Sequence, residues 1–258
     1  MIRVLSGAVL AALVVAVVWL APPVVLAAVV AVVLALAVRE YAALSNALGL
    51  HGPIVSGVLA LAVAIAVASG SGAFEAVAVS GFIALAGIVL ARGVDRASLA
   101  DLGAALVPPF YIGVPLGALV AVRTIDGPAA LFLLMLTVMV SDTAQYYTGR
   151  LFGRRPLSPA ISPKKTIEGA IGGFVFGTLT LTIAGAWWLP RVDAPLRALL
   201  GVAIVALGIA GDLFESSLKR AAGVKDSSTL IPGHGGILDR IDALLFAAPV
   251  YYVVLKYV

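Results

Sequence analysis

Carboxylates and basic side chains recur at helical spacing in the second half of a chain that is otherwise nearly free of charge. Asp212, Glu215, Ser216 and Lys219 stand at i, i+3, i+4 and i+7, which confines them to a sector of roughly 100° on a helix. Asp142, Gln145, Tyr146 and Gly149 repeat that spacing, and Lys165, Glu168, Gly169 and Gly172 repeat it again. Further on, Pro232-Gly233-His234-Gly235-Gly236 is too costly for a helix interior and predicts a sharp turn. Directly after it, Asp239 and Asp242 share one face of an opening helical turn. Carboxylate pairs from separate helices, flanked by Lys and Arg, make an all-oxygen site for a hard cation such as Mg²⁺ and leave the basic groups for phosphate.

Plainer readings exist for each feature. Asp142 or Glu215 alone suits a carboxylate hydrogen-bonded across helices, and a helix N-terminus favours Asp239 and Asp242 without any ligand. Gly169, Gly173 and Gly177, four apart, suit close helix packing better than a phosphate cradle. Lys164 and Lys165, after Ser162-Pro163, serve either membrane orientation or a phosphate at a helix start. His51 reads as a loop residue, Glu75 as a far headgroup contact, and Arg39, Glu40, Arg92, Asp95, Arg96 and Asp101 as interfacial anchors.

The elements that must carry these residues belong in a bilayer. Of 258 residues, 62% are hydrophobic and 12% charged, and the mean hydropathy is +1.13, whereas a soluble domain is about 25% charged. The chain has no cysteine, which excludes disulfides, thiolate metal sites and a cysteine nucleophile. His51 and His234 are too far apart for a His-x-x-x-His zinc pair. A span needs about 17 to 25 helical residues, and breaking the chain at its polar and Pro/Gly punctuation gives nine candidates: 4–20, 23–38, 53–69, 73–91, 103–122, 128–149, 166–189, 196–218 and 237–257. The first is read as a retained span rather than a signal peptide. The fifth is interrupted by Pro108, Pro109 and Pro115. The fold expected is all-α, one polytopic membrane domain over 1–258, with scaffold spans in 1–127 and chemistry in 128–258.

Orientation follows from basic residues. With the N-terminus inside, that side collects Arg3, Arg39, Arg92, Arg96, Arg150, Arg154, Arg155, Lys164, Lys165, Lys219, Arg220, Lys225 and Arg240, thirteen of the seventeen Lys and Arg. Arg123, Arg191, Arg197 and Lys256 fall opposite. The polar stripes therefore sit at cytoplasmic helix ends. An ionised carboxylate at a helix centre costs about 2.5–3.5 kcal/mol even on the lenient insertion scale, so the stripes must face water, a cation or one another in a shared polar funnel.

The run "SSLKRAAGVKDSSTLIPGHGGILDRID", Ser216 to Asp242, resembles the signature of the phosphatidate cytidylyltransferases, the CDP-diacylglycerol synthases, at every position the signature demands. Three weaker blocks follow the family order: "SDTAQYYTGRLFG" from Ser141, "SPKKTIEG" from Ser162 and "GDLFES" from Gly211. The resemblance covers about Ser141 to Asp242, with one departure, Ile167, where the family usually has Trp.

The resemblance implies Mg²⁺-dependent condensation of CTP with phosphatidic acid to CDP-diacylglycerol and pyrophosphate at the cytoplasmic face of the inner membrane. The family's metal-binding acids map onto Asp212 and Asp239, with Asp142 and Asp242 in support. Lys219, Arg220, Lys225 and Arg240 are expected on phosphate oxygens, and Lys164 and Lys165 on the triphosphate tail or the lipid phosphate. Glu168, Asp226 and His234 complete the expected substrate site. The partners implied are CTP, phosphatidic acid and membrane lipid, with a homodimer admissible and no nucleic acid. Transfer to another lipid phosphate stays open, as does a cation-coupled transporter, although transporters place acids near the midplane of repeated halves and no repeat is visible here. The CDP-alcohol phosphotransferase pattern fails, because "DGPAAL" at Asp126 lacks the Arg and later acids.

Overall fold

A computed structural model describes every residue except Met1, 51–53, 93–95, Pro232 and His234. Among the described residues nine α-helices and one small hairpin follow one another: α1 (Ile2–Leu20), α2 (Pro23–Ala47), α3 (Ile54–Ser69), α4 (Phe74–Arg92), α5 (Arg96–Pro108), α6 (Val114–Phe152), β1 (Pro156–Ser158), β2 (Ser162–Thr166), α7 (Ile167–Trp188), α8 (Ala194–Ala221) and α9 (Leu238–Tyr257). The all-α membrane reading holds. Among the described residues four helical stretches are long and apolar enough to cross a bilayer, namely Pro23–Ala47, Leu99–Phe152, Ile167–Trp188 and Ala194–Ala221, and shorter apolar helices accompany them.

Local chemistry sets the boundaries. Asp193 caps α8 by accepting from the Leu196 amide at 2.9 Å, and Thr166 caps α7 by accepting from Gly169 at 3.1 Å. Pro108 and Pro109 lack the amides an α-helix needs, and the chain passes through a π-helical turn, Pro109–Gly113, into α6. Continuous helix therefore replaces the interruption expected there. Within α6, Gly127 takes φ 79°, a conformation that favours glycine, and with Pro128 it kinks the helix where a loop between two spans was expected.

Two departures matter for the site. The sequence pattern puts Lys165 on a helix with Glu168; instead β1 and β2 pair antiparallel, Pro156 opposite Thr166 and Ser158 opposite Ser162, and α7 starts only at Ile167. The third polar stripe is thus not one helical face. In addition α2 runs to Ala47 rather than 38, so Glu40 lies within a helix and is buried.

The core joins both halves: Leu34, Ala37 and Tyr41 of α2, Val63 of α3, Leu131, Leu133 and Leu134 of α6, Ile204 of α8 and Tyr251 of α9 belong to one buried cluster. Glycines of α7 let α6 approach closely. A side chain at Gly172 would collide with Thr148 and one at Gly173 with Gln145, which supports the helix-packing reading of this run. At the end of α6 opposite Asp142, Arg191 grips Asp126 through two bonds of 2.8 and 2.7 Å, and Arg123 donates to the Val18 carbonyl at 3.2 Å.

Candidate active site

Helices α6, α7, α8 and α9 and strand β2 enclose a cavity of about 490 Å³. Asp142, Gln145 and Arg150 come from α6, Lys164 and Lys165 from β2, Asp212 from α8, and Asp239, Arg240 and Asp242 from α9. The hairpin explains how both lysines arrive. Its return strand is tied to α7 by the Thr166 cap, and Gly149 and Gly169 lie close to that threonine.

The charges are interleaved. Lys165 Nζ pairs with Asp212 Oδ2, and Ser216 Oγ donates to Asp212 Oδ1 at 3.3 Å. Gln145 Nε2 donates to Asp142 Oδ1 at 3.1 Å. Asp242 Oδ1 accepts from the Ala243 amide at 2.8 Å. Lys219 is 8% exposed; it pairs with Glu215, which is 0% exposed, and reaches Asp239 Oδ1 at 2.5 Å. The other oxygen of Asp239 accepts from the Ser227 amide at 2.9 Å, the Ser227 hydroxyl at 2.8 Å and the Gly236 amide at 2.8 Å. Lys219 is thereby a buried clamp between α8 and α9, and Asp239 ties α9 to the preceding loop.

The structure brings together Asp142, Lys164, Lys165, Asp212, Asp239, Arg240 and Asp242, with Lys219 attached through Asp239. Glu168, Arg220, Lys225 and Asp226 are not among the residues lining this cavity. Glu168 instead accepts from the Arg154 and Arg155 amides at 3.0 and 3.2 Å and fixes the approach to β1. Arg220 donates to the carbonyls of Ile161 and Val224 at 3.4 and 3.1 Å, which ties the end of α8 to the hairpin. His234 lies outside the described residues. The sequence pattern places Glu40 at an interface and gives no role to Ser227 or Ser228; the three instead meet in a buried hydrogen-bonded cluster. The signal available was an acid inside a predominantly apolar helical run.

Among the described residues no three acidic or histidine groups already stand at metal-ligand spacing. The donor chemistry nevertheless fits a hard cation, because four carboxylates and no sulfur or imidazole line the described cavity. Asp212 and Asp239 each already hold an ammonium group, so positive charge is favoured at both.

A profile described as the cytidylyltransferase family matches residues 1–258. The chain belongs to the cytidylyltransferase family. Among curated proteins it is similar to the phosphatidate cytidylyltransferase of Aquifex aeolicus (strain VF5), 41% identical over 125 residues, 48% of this chain and 46% of that protein. The phosphatidate cytidylyltransferase of Mycobacterium tuberculosis (strain ATCC 25618 / H37Rv) is 44% identical over 130 residues, 50% of this chain and 39% of that protein. A third, from Staphylococcus epidermidis (strain ATCC 12228 / FDA PCI 1200), is 35% identical over 184 residues, 70% of each chain. The match thus spans less than half the length of the first two cytidylyltransferases.

Proposed function

We propose that this protein condenses CTP with phosphatidic acid to CDP-diacylglycerol and pyrophosphate. The observation that carries the reading is a cavity where four carboxylates and four basic side chains from β2, α6, α8 and α9 converge at one end of an apolar helical bundle. We place that end in the cytoplasm and the bundle, with about nine spans, in the inner membrane, because thirteen basic residues gather on that side.

A phosphate monoester has a second pKa near 6 and is largely ionised at neutral pH, so no strong base is required. A non-bridging oxygen of phosphatidic acid attacks the α-phosphorus of CTP, and the bond from that phosphorus to the α,β-bridging oxygen breaks. The electron pair leaves with pyrophosphate. The obstacle is repulsion between anions, and positioning with charge neutralisation removes it. Lys164 and Lys165 bind phosphate oxygens from β2, and Arg240 does so from α9. Asp212, Asp239 and Asp242, with Asp142 beside them, would hold Mg²⁺, which when bound supplies neutralisation and in-line orientation of the triphosphate.

An apolar groove of about 480 Å³ lined by Val107, Phe110, Tyr111, Phe214, Leu245 and Phe246 adjoins the same helices, with Phe246 one turn along α9 from Asp242. Tyr111 stacks edge-on against Phe214 at 5.0 Å and Phe246 at 6.1 Å. This groove suits an acyl chain of the lipid. The test is a purified-protein assay that follows labelled CTP into lipid across several lipid phosphates, with and without chelator. CDP-diacylglycerol formed only with phosphatidic acid and divalent ion is expected; no labelled lipid with any acceptor would overturn the reading.

A further inference from the structure

Glu40 belongs to the half of the chain whose spans read as scaffold, and it was expected at an interface with water. It is 5% exposed instead, and its two oxygens collect four donors from a single distant segment. Oε1 accepts from Ser228 Oγ at 2.6 Å and the Ile237 amide at 2.9 Å. Oε2 accepts from Ser227 Oγ at 2.9 Å and the Leu238 amide at 2.9 Å. The last two amides open α9, whose own N-cap, Ile237, has no side-chain acceptor to offer. Orphan amides at a helix start need a partner, and an anion there is favoured by the helix dipole. Glu40 provides that cap from another helix.

The same bonds lead into the cavity. Ser227 Oγ lies 2.9 Å from Glu40 Oε2 and 2.8 Å from Asp239 Oδ2, so its single hydroxyl proton is shared between the two carboxylates. Asp239 in turn holds Lys219, which holds Glu215. Gly236 completes the fit: a side chain there would collide with both Ser227 Oγ and Glu40 Oε2. We propose that Glu40 is a positioning residue for cytidylyl transfer, holding Ser227, Ser228 and the Ile237–Leu238 start of α9 so that Asp239 is fixed toward Lys219 and the cavity. The proposal rests on the reading of this cavity as the transfer site.

The experiment uses the full chain purified in detergent, as Glu40→Gln, Ser227→Ala and the double variant. Glutamine keeps the length, yet it presents an NH₂ where two of the four donors point. In each single variant kcat should fall about 10- to 100-fold, the loss typical when a group orienting a ligand is removed, while KM for CTP moves less than about threefold. The double variant should be no worse than Glu40→Gln, since both act through one connection. Amide exchange at Ile237 and Leu238 should rise in Glu40→Gln. Wild-type kcat in Glu40→Gln, or multiplicative losses in the double variant, would overturn the role. If Glu40→Gln does not yield folded protein, Ser227→Ala combined with Ser228→Ala removes the side-chain bonds alone; wild-type kcat there is equally fatal. Should the unmodified protein transfer nothing from CTP, the functional reading fails, and unchanged exchange protection in Glu40→Gln then removes Glu40 as well.

Discussion

Replacing Lys219 by Met separates the electrostatic role of the buried clamp from its packing. The methionine keeps most of the apolar stem and deletes the ammonium that sits between Glu215 and Asp239. Asp239 retains its contacts from Ser227 and Gly236, but Glu215 is 0% exposed and the lysine is its ion-pair partner. Removing one side of a buried pair costs about 3–5 kcal/mol, because the other charge is left uncompensated. The uncompensated charge belongs mainly to Glu215, so Lys219→Met with Glu215→Gln should recover at least half of that loss. Turnover should not recover, since Asp239 Oδ1 still lacks its 2.5 Å partner. The assay pairs thermal unfolding in detergent with CTP turnover at a temperature where every variant is folded. Two results would refute the reasoning: Lys219→Met as stable as the unmodified protein, or a double variant that regains activity together with stability.

Other consequences can be checked alongside. Asp212→Asn keeps the shape but weakens the hold on Lys165 and on any cation; turnover should fall at least about 100-fold, with normal membrane insertion, and activity within tenfold would remove Asp212 from the site. Gly236→Ala drives a methyl group into Ser227 and Glu40; it should destabilise by about 1–3 kcal/mol, as overpacking does, and lower kcat, measured by unfolding and turnover. Arg191→Ala breaks a bidentate pair with Asp126 at the opposite end, where the arginine side chain is 37% exposed and the aspartate 11%, and also removes the donor to the Leu255 carbonyl. It should cost about 1–3 kcal/mol, because a largely buried carboxylate loses its partner, and leave turnover within twofold at a temperature where the variant is folded; a large loss of activity there would mean that the two ends are coupled.

Much of this architecture was legible because lipid imposes a simple rule: apolar helical runs, broken by Pro, Gly and charge. Seven expected spans coincide with described helices to within a few residues, apart from the extra turns of α2, while the proline-rich fifth and the sixth run together as one helical stretch, Leu99–Phe152, kinked at Gly127. The acids of α6, α8 and α9 were legible for a related reason, since a carboxylate in an apolar helix demands a partner. The hairpin was not. Ser162-Pro163 fits both a helix start and a strand, and only pairing with Pro156–Ser158 decides between them. Glu40 was missed because its four partners lie nearly two hundred residues away, and helical periodicity reports on one helix at a time.

That long separation bears on how the site divides its labour. Asp142, Asp212 and Asp242 face a cavity large enough for solvent and ligands, and their described partners are few. Glu40, Ser227, Glu215 and Lys219 are all buried, and they close around Asp239. Asp239 belongs to both groups: one oxygen is held by three donors of the loop, and the other faces Lys219. A site that must bind and release polyanions on every cycle needs groups that exchange partners, yet preorganisation requires groups that do not. Anchoring the immobile group around Asp239 to a helix from the opposite half of the chain, through Glu40 of α2, meets both demands. The cavity side chains can change partners during turnover while the start of α9, anchored to α2 through Glu40, keeps Asp239 in place.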